Sequence, residues 1–472
     1  MNELNENGIF WLPEAEDNPF PGHLEYSPEA GCHLNVVSQP SLPRRAESVP
    51  RILGVVRNQK VTLLGCQRFG ESFYGSGLSY ERYLVRHFFS GLSYIPEDRP
   101  VFTTIQAQYH NFAEWLEDTG FAENESRPPG DLAINYIKPE SLSSEFSKGK
   151  VFIDFLWKEG DQGSRRRSIE ELPIVRLQYD EPQQFDEILR DANIIENLIT
   201  LCVDSPSPRT AAKFQRADLP QRSLAGNAFP NTQDPIEYFN EPVEKASKAK
   251  VVDPHSMLIR MEDIGGVEAL SRWLDRAGDL GYVLGLLMSA RTTQWSYVEN
   301  RFFNLAGAAE AFHRLAFGGT RLPDDRFALL RGLAIASMPD SKGRSWIKSH
   351  LRFNEPTLAH RLEELASTVS PVADAVVDDQ KSWAVTVAEV RNKLVHMSSP
   401  GHHGFDGGTL LFLYESVFAV TRAAILRYAG VEDGAIRHIA TSHRTTWYKE
   451  GVKEALQQAR EVLARSKLGA VD

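Results

Sequence analysis

Cysteine is scarce in this chain of 472 residues: Cys32, Cys66 and Cys202 are its three thiols, and they lie far apart. An odd, unclustered set fits neither a disulfide framework nor a zinc knuckle, so no metal is expected and a reducing cytoplasm is the natural compartment. Long apolar runs are also missing. None approaches the ~20 residues that a membrane span requires, and the short run Gly281–Ala290 is cut off by Arg291. The opening stretch MNELNENGIFWLPEAEDNPF has neither the basic start nor the apolar segment of a signal peptide. No membrane association is expected.

Positive charge is in deficit. Lys and Arg number 52 against 63 Asp and Glu, a net charge of −11. Broad phosphate neutralisation is thereby excluded as the basis of any nucleic-acid affinity. What survives is a focal, arginine-rich contact. Hydrophobic residues at 42% and charged residues at 24% are ordinary for a globular chain, and the length suggests about two to four domains. Internal repeats and low-complexity tracts are not evident.

The patterning divides the chain into an α+β multidomain protein. Residues 1–204 read as β-rich, because short β-branched and aromatic runs alternate with Gly, Pro, Asn and Asp clusters. Ile52–Val56 and Val61–Cys66 form a candidate hairpin, with further strands at Val101–Gln106, Leu132–Ile137, Val151–Trp157 and Ile174–Tyr179. Tyr80–Ser90 and Asn111–Leu116 fit helix or strand. Phe185, Ile188, Leu189, Ile195, Leu198 and Ile199 predict a closing helix. Residues 205–254 lose periodicity and gain prolines, as in a linker or surface excursion.

Residues 255–472 are patterned as an all-α bundle. Val298, Phe302, Leu305, Ala309 and Phe312 share one helix face, as do Leu358, Leu362, Leu365 and Val369, and again Trp383, Val387, Val390 and Leu394. Thr409–Tyr428 is apolar on two sides, as a central helix would be.

The segment with chemical content is Arg391-Asn392-Lys393-Leu394-Val395-His396. An Arg and a His at this spacing are weak evidence alone: with 13 histidines, on the order of one such pair arises by chance. Arg82/His87 has the same spacing, and Arg344/His350 and Arg437/His443 come close. Three features favour Arg391–His396. A polar amide follows the Arg, the segment ends a well-patterned helix, and at about 100° per residue Asn392 and His396 share a face nearly opposite the apolar stripe. That face is either plain solvated surface or one half of a site completed by a second copy across a two-fold axis.

The second possibility gives coherent chemistry. RNA carries its own nucleophile, the 2′-hydroxyl, so no metal or cofactor is required. A histidine titrating near ~6.5 takes or returns the proton. Arg391 stabilises charge on the phosphorane oxygens, and Asn392 orients a partner by hydrogen bonding. Lys393, His402, His403, Arg422 and Arg427 are candidate substrate-binding residues. His402 and His403 lack a second ligand cluster and fit a loop beside the site better than a metal centre. Arg165-Arg166-Arg167 fits a solvated loop or an RNA or partner contact.

Arg391-Asn392…His396 resembles the signature of the HEPN superfamily, an Arg, a polar residue and then a nearby His. Glu299-Asn300-Arg301-Phe302 with Glu310, then Leu358-Ala359-His360-Arg361-Leu362, resemble its Apea-like branch. Gly8-Ile9-Phe10-Trp11, Pro21-Gly22-His23-Leu24 and Ile52-Leu53-Gly54-Val55 resemble the β-rich domain preceding HEPN in ApeA-type proteins. The resemblance implies a bacterial antiphage ribonuclease acting by abortive infection, with RNA (tRNA among the candidates) as substrate. It implies a homodimer with a composite site, higher oligomers remaining open, and an N-terminal domain that senses a phage-derived trigger. Two alternatives stand beside it: a non-catalytic HEPN dimer that binds nucleotide or RNA as a sensor or scaffold, and a β-rich domain that is itself the active part, binding a glycan or protein.

Overall fold

The computed structural model describes residues 3–37, 48–73, 79–122, 134–160, 168–222, 228–239, 250–292, 296–395 and 404–468. The chain divides into two compact units, Met1–Asp275 and Arg276–Asp472.

The first unit begins with β1 (Leu4–Trp11), β2 (Phe20–Ser27), β3 (Gly31–Val37), β4 (Ser48–Val56), β5 (Gln59–Phe73) and β6 (Ser79–Gly91). They pair antiparallel in the order β3-β2-β1-β4-β5-β6, and β3 also pairs with β6, so the ring closes. Alternation does the sorting: Cys32, Leu34 and Val36 of β3 point inward between half-buried neighbours. The barrel's interior is a packed core of Phe10, Leu24, Leu34, Ile52, Leu63, Tyr83 and their neighbours. Gly22 and Gly54 make room for Phe10. A methyl on Gly22 would sit 2.9 Å from the Phe10 ring, and one on Gly54 would overlap it. The β4–β5 hairpin turns on Arg57 and Asn58, with φ of 50° and 63°, a two-residue turn whose twist matches the strands.

Next come β7 (Val101–Tyr109), α1 (Phe112–Leu116), β8 (Leu142–Phe146), β9 (Gly149–Glu159), β10 (Ile169–Gln184), α2 (Phe185–Val203), β11 (Arg209–Gln215), β12 (Pro220–Arg222), β13 (Ala228–Gln233), β14 (Ile236–Phe239) and α3 (Gly266–Ala277). The far end of β6 pairs with β14, and the sheet runs on through β11, β7, β10, β9 and β8. Ile188, Ala192, Ile195, Leu198 and Ile199 of α2 are buried.

Three sequence expectations need correction. The described residues of 205–254 are not all linker or surface excursion, since β11 and β14 lie inside the sheet with Phe214 and Ile236 buried. Pro206, Pro208 and Pro235 stand just outside the paired stretches, where a missing N–H costs no ladder bond. The helical unit does not begin at 255. Trp115 donates to the Ile259 carbonyl at 3.0 Å and Trp273 to the Ile194 carbonyl at 2.7 Å, which ties 255–275 to the β-rich unit. Leu132–Ile137 gives no strand among its described residues, only an isolated bridge from Tyr136 to Phe121. Tyr80–Ser90 resolves as strand and Asn111–Leu116 mostly as α1.

The second unit contains α4 (Gly281–Thr292), α5 (Val298–Phe317), α6 (Asp324–Ala336), α7 (Ser341–His350), α8 (Leu358–Thr368), α9 (Ser370–Val376), α10 (Gln380–Val395), α11 (Gly407–Tyr428), α12 (Asp433–Thr441), α13 (His443–Trp447) and α14 (Lys449–Leu468). α11 is the axis, with α5, α8, α9 and α14 against it. Its 22 residues are long and apolar enough to cross a membrane by composition, contrary to the sequence expectation. Its apolar stretch is 89% buried inside this unit, so its hydrophobicity is accounted for by core packing.

Candidate functional site

α10 is held by the stripe that the sequence implies. Trp383, Val387 and Val390 are fully buried, and the Trp383 indole donates to Ser416 Oγ at 2.9 Å. The stripe loosens at its end, where Leu394 is half-buried and Val395 is exposed. Asn392 is exposed on the opposite side.

Arg391 lies on the flank between core and solvent, its side chain 27% exposed. One guanidinium nitrogen lies 3.5 Å from Glu310 of α5 and another donates to Asn392 Oδ1 at 3.2 Å. The group also sits 5.6 Å from the Phe303 ring centroid. Its Nε is buried and has no hydrogen-bond partner among the described residues. The arginine is therefore oriented by Glu310, Asn392 and the Phe303 ring while part of its side chain stays exposed.

Glu310 belongs to a longer chain of charges. It pairs with Arg314 at 3.7 Å, Arg314 with Glu355 at 2.7 Å, and Glu355 with the fully buried Arg361 at 3.3 Å. Arg361 donates to His313 Nδ1 at 3.1 Å, and His313 Nε2 faces Glu364 at 2.9 Å. A neutral ring with its proton on Nε2 satisfies both contacts. Burial pushes this imidazole below its ordinary value, against the pull of Glu364 and with the help of Arg361 and His360. His313 carries no distinctive signal in the sequence, and Glu310, quoted there for the family resemblance, shows nothing of its pairing with Arg391.

The other expected site residues fare unequally. Lys393 Nζ lies 5.3 Å from the ring of the buried Phe405. Arg422 is buried, not groove-lining, with its guanidinium 5.0 Å from the Phe418 ring. Arg427 is exposed but is engaged with the Thr368 carbonyl and with Asp433 at 3.1 Å. His396, His402, His403 and the Arg165-Arg166-Arg167 run lie outside the described residues. Beyond them, Asp406 caps α11, accepting from the Thr409 N–H and hydroxyl, each at 2.8 Å. Those bonds hold its carboxyl below the usual range.

Two of the rival Arg/His pairs are divided between faces or helices, while Arg344 and His350 lie together on α7. Arg82 is held by Asn35 and His87 by Tyr238, on a strand where residues five apart face opposite ways. Arg437 lies in α12 and His443 opens α13, with the Ser442 cap between them.

The bundle thus sets Arg391-Asn392 at the end of α10, with Glu310 of α5 beside the arginine. Residues 303–435 match the family model Apea-like HEPN, a span running from α5 into α12. Residues 5–273, more than half of the chain, match ApeA N-terminal domain 1 and end close to the border of the first unit. The chain belongs to the ApeA-type family, with a β-rich N-terminal region and a C-terminal Apea-like HEPN domain. No curated protein and no solved structure matched it.

Proposed function

We propose that this protein is an antiphage endoribonuclease of the cytoplasm that cleaves RNA without a metal or cofactor. Arg391, Asn392 and His396 of two copies share one cleft across a two-fold axis. The supporting observation is Arg391, partly exposed and held by Glu310, beside an exposed Asn392 on the face turned from the core.

In this scheme one His396 accepts the 2′-hydroxyl proton as the 2′-oxygen attacks phosphorus. The partner copy's equivalent histidine protonates the departing 5′-oxygen, and the P–O5′ bond breaks. Arg391 stabilises the extra negative charge on the phosphorane oxygens, where a planar guanidinium suits two oxygens at once. The products are a 2′,3′-cyclic phosphate and a 5′-hydroxyl. DNA, without the 2′-hydroxyl, is inert. tRNA is the candidate substrate, and the β-rich unit is the candidate sensor of a phage-derived trigger.

The decisive measurement is cleavage of total RNA by the purified full chain, with end mapping, in EDTA. Cyclic phosphate ends that persist in EDTA and vanish in His396→Ala support the proposal. EDTA-sensitive cleavage, cutting of DNA, or full activity in the variant would overturn it, with His443→Ala as the control.

A further inference from the structure

Between α5 and α8 the chain leaves the bundle as an arm. α6 and α7 bury none of their residues, yet the arm is well rooted. Arg321 N donates to the Asn354 carbonyl at 3.0 Å, Leu322 N to Asn354 Oδ1 at 3.1 Å, and Asn354 Nδ2 back to the Leu322 carbonyl at 2.6 Å. The next residue, Glu355, begins the run of ion pairs through Arg314 and Glu310 to Arg391. The two ends of the arm are thus tied together, and its last residue is linked to Arg391 through Arg314 and Glu310 of α5.

Its α7 side carries a dense run of positive charge. Residues 341–352 hold Lys342, Arg344, Lys348 and Arg352 with no Asp or Glu, a local charge of +4 in a molecule of −11. All four are exposed, as is His350. Two aromatic side chains sit among them in the open, Trp346 at 58% and Phe353 at 66% exposure. Trp346 lies 4.5 Å from the His350 ring, and Arg352 lies 5.2 Å from the Phe353 ring. Lys342, Trp346 and His350 are spaced four apart and share one face of the helix.

Clustered cations around exposed aromatic faces are what a single-stranded nucleic acid requires, phosphates to the cations and unstacked bases to the rings. A duplex hides its base faces and would leave the aromatics unused. We propose that the α7 side of the arm binds single-stranded RNA and feeds it to the Arg391 site. This deepens the ribonuclease proposal and rests on it for the identity of the ligand. α6 presents the contrasting surface, with Leu329, Leu330 and Leu333 exposed. Those side chains suit a protein contact, so the two helices can be tested against each other.

The experiment measures anisotropy of a labelled, unstructured RNA of about 12 nucleotides on the full chain carrying His396→Ala, so that the probe stays intact. Adding Lys342→Glu and Lys348→Glu is expected to weaken binding more than ten-fold. Since each phosphate contact contributes about 0.7 to the salt slope on single strands, the slope should fall by roughly 1.4. Adding Trp346→Ala alone should weaken binding about ten-fold. Leu329→Ser with Leu333→Ser should leave it unchanged, and none of the α7 changes should alter the sedimentation coefficient or the melting curve. Unchanged binding in the α7 variants overturns the proposal. So does loss confined to the leucine variant, or a change of oligomeric state on α7 substitution, either of which would mark the arm as a protein contact. The nuclease proposal fails separately: RNA that binds through α7 but is never cut by the unmodified chain refutes catalysis and leaves the arm standing.

Discussion

Within the helical unit, α11 and α6 obey opposite rules. α11 buries most of its length, including Tyr414, Val417, Thr421 and Ile425, whereas α6 buries nothing although Leu329, Leu330 and Leu333 lie on it. Helices of a dozen residues are marginal alone and depend on packing, so α11 carries the fold while α6 leans on the arm's root. The distinction separates stability from function. Residues that meet the core hold the bundle together, and those at its margin, Arg391 and Asn392 above all, are available to act.

The comparison is broken most severely from the core side. Trp383→Ala removes a fully buried indole and its bond to Ser416, and is expected to cost about 3–5 kcal/mol in urea unfolding. Leu333→Ala on α6 should stay within ~0.5 kcal/mol. A Leu333→Ala penalty equal to that of Trp383→Ala would mean that α6 is packed in solution.

At the margin the expected effect is on rate. Arg391→Ala should lower RNA cleavage by about 10²–10³-fold, as loss of a charge-stabilising donor does, with the unfolding midpoint unmoved. A parallel fall in stability would assign Arg391 to the scaffold. Glu310→Gln should be milder, because in the proposed scheme Glu310 acts only by positioning Arg391 through their 3.5 Å contact. Roughly ten-fold off kcat with KM unchanged is expected. An effect on KM alone would remove Glu310 from that role.

The same divide explains what was legible in the sequence. The periodic stripes of α5, α8 and α10 gave true core residues except at one end of each, where Val298, Leu358 and Leu394 are only half-buried. Burial imposes a regular spacing that needs no knowledge of the partner. Residues 205–254 misled because prolines at strand edges look the same in sequence as prolines in a linker. Only pairing, such as Phe214 opposite Ile105, tells them apart. Arg422 misled for a related reason. Its place on α11 fits an exposed groove as well as a buried cation over Phe418. The glycines quoted for the family resemblance, Gly22 and Gly54, acquired a cause only once Phe10 was seen between them. Glu310 was visible as a residue but not as the partner of Arg391, a contact between helices far apart in sequence.

Smaller effects probe the boundary itself. Asp406 caps α11 just past residues 396–403, through its bonds to Thr409. Asp406→Ala should cost about 1 kcal/mol, the usual worth of an N-cap, while Asp406→Asn should retain most of it. Equal losses in the two variants would show that the charge, not the hydrogen bond, carries the effect.

The subtlest test is pH. His313 is buried between Arg361 and Glu364, and its folded-state value lies below the ordinary 6.5. Below pH 6.5 the unfolded chain takes up a proton that the folded chain refuses, so the unfolded state gains. The contribution is full above pH 6.5 and shrinks as acidity rises toward the folded value. Thermal melts from pH 8 to pH 5 should therefore fall more steeply for the native chain than for His313→Gln, with no difference in slope above neutrality. Identical slopes throughout would place His313 outside the titrating core, and the neutral, Nε2-protonated ring would have to be given up.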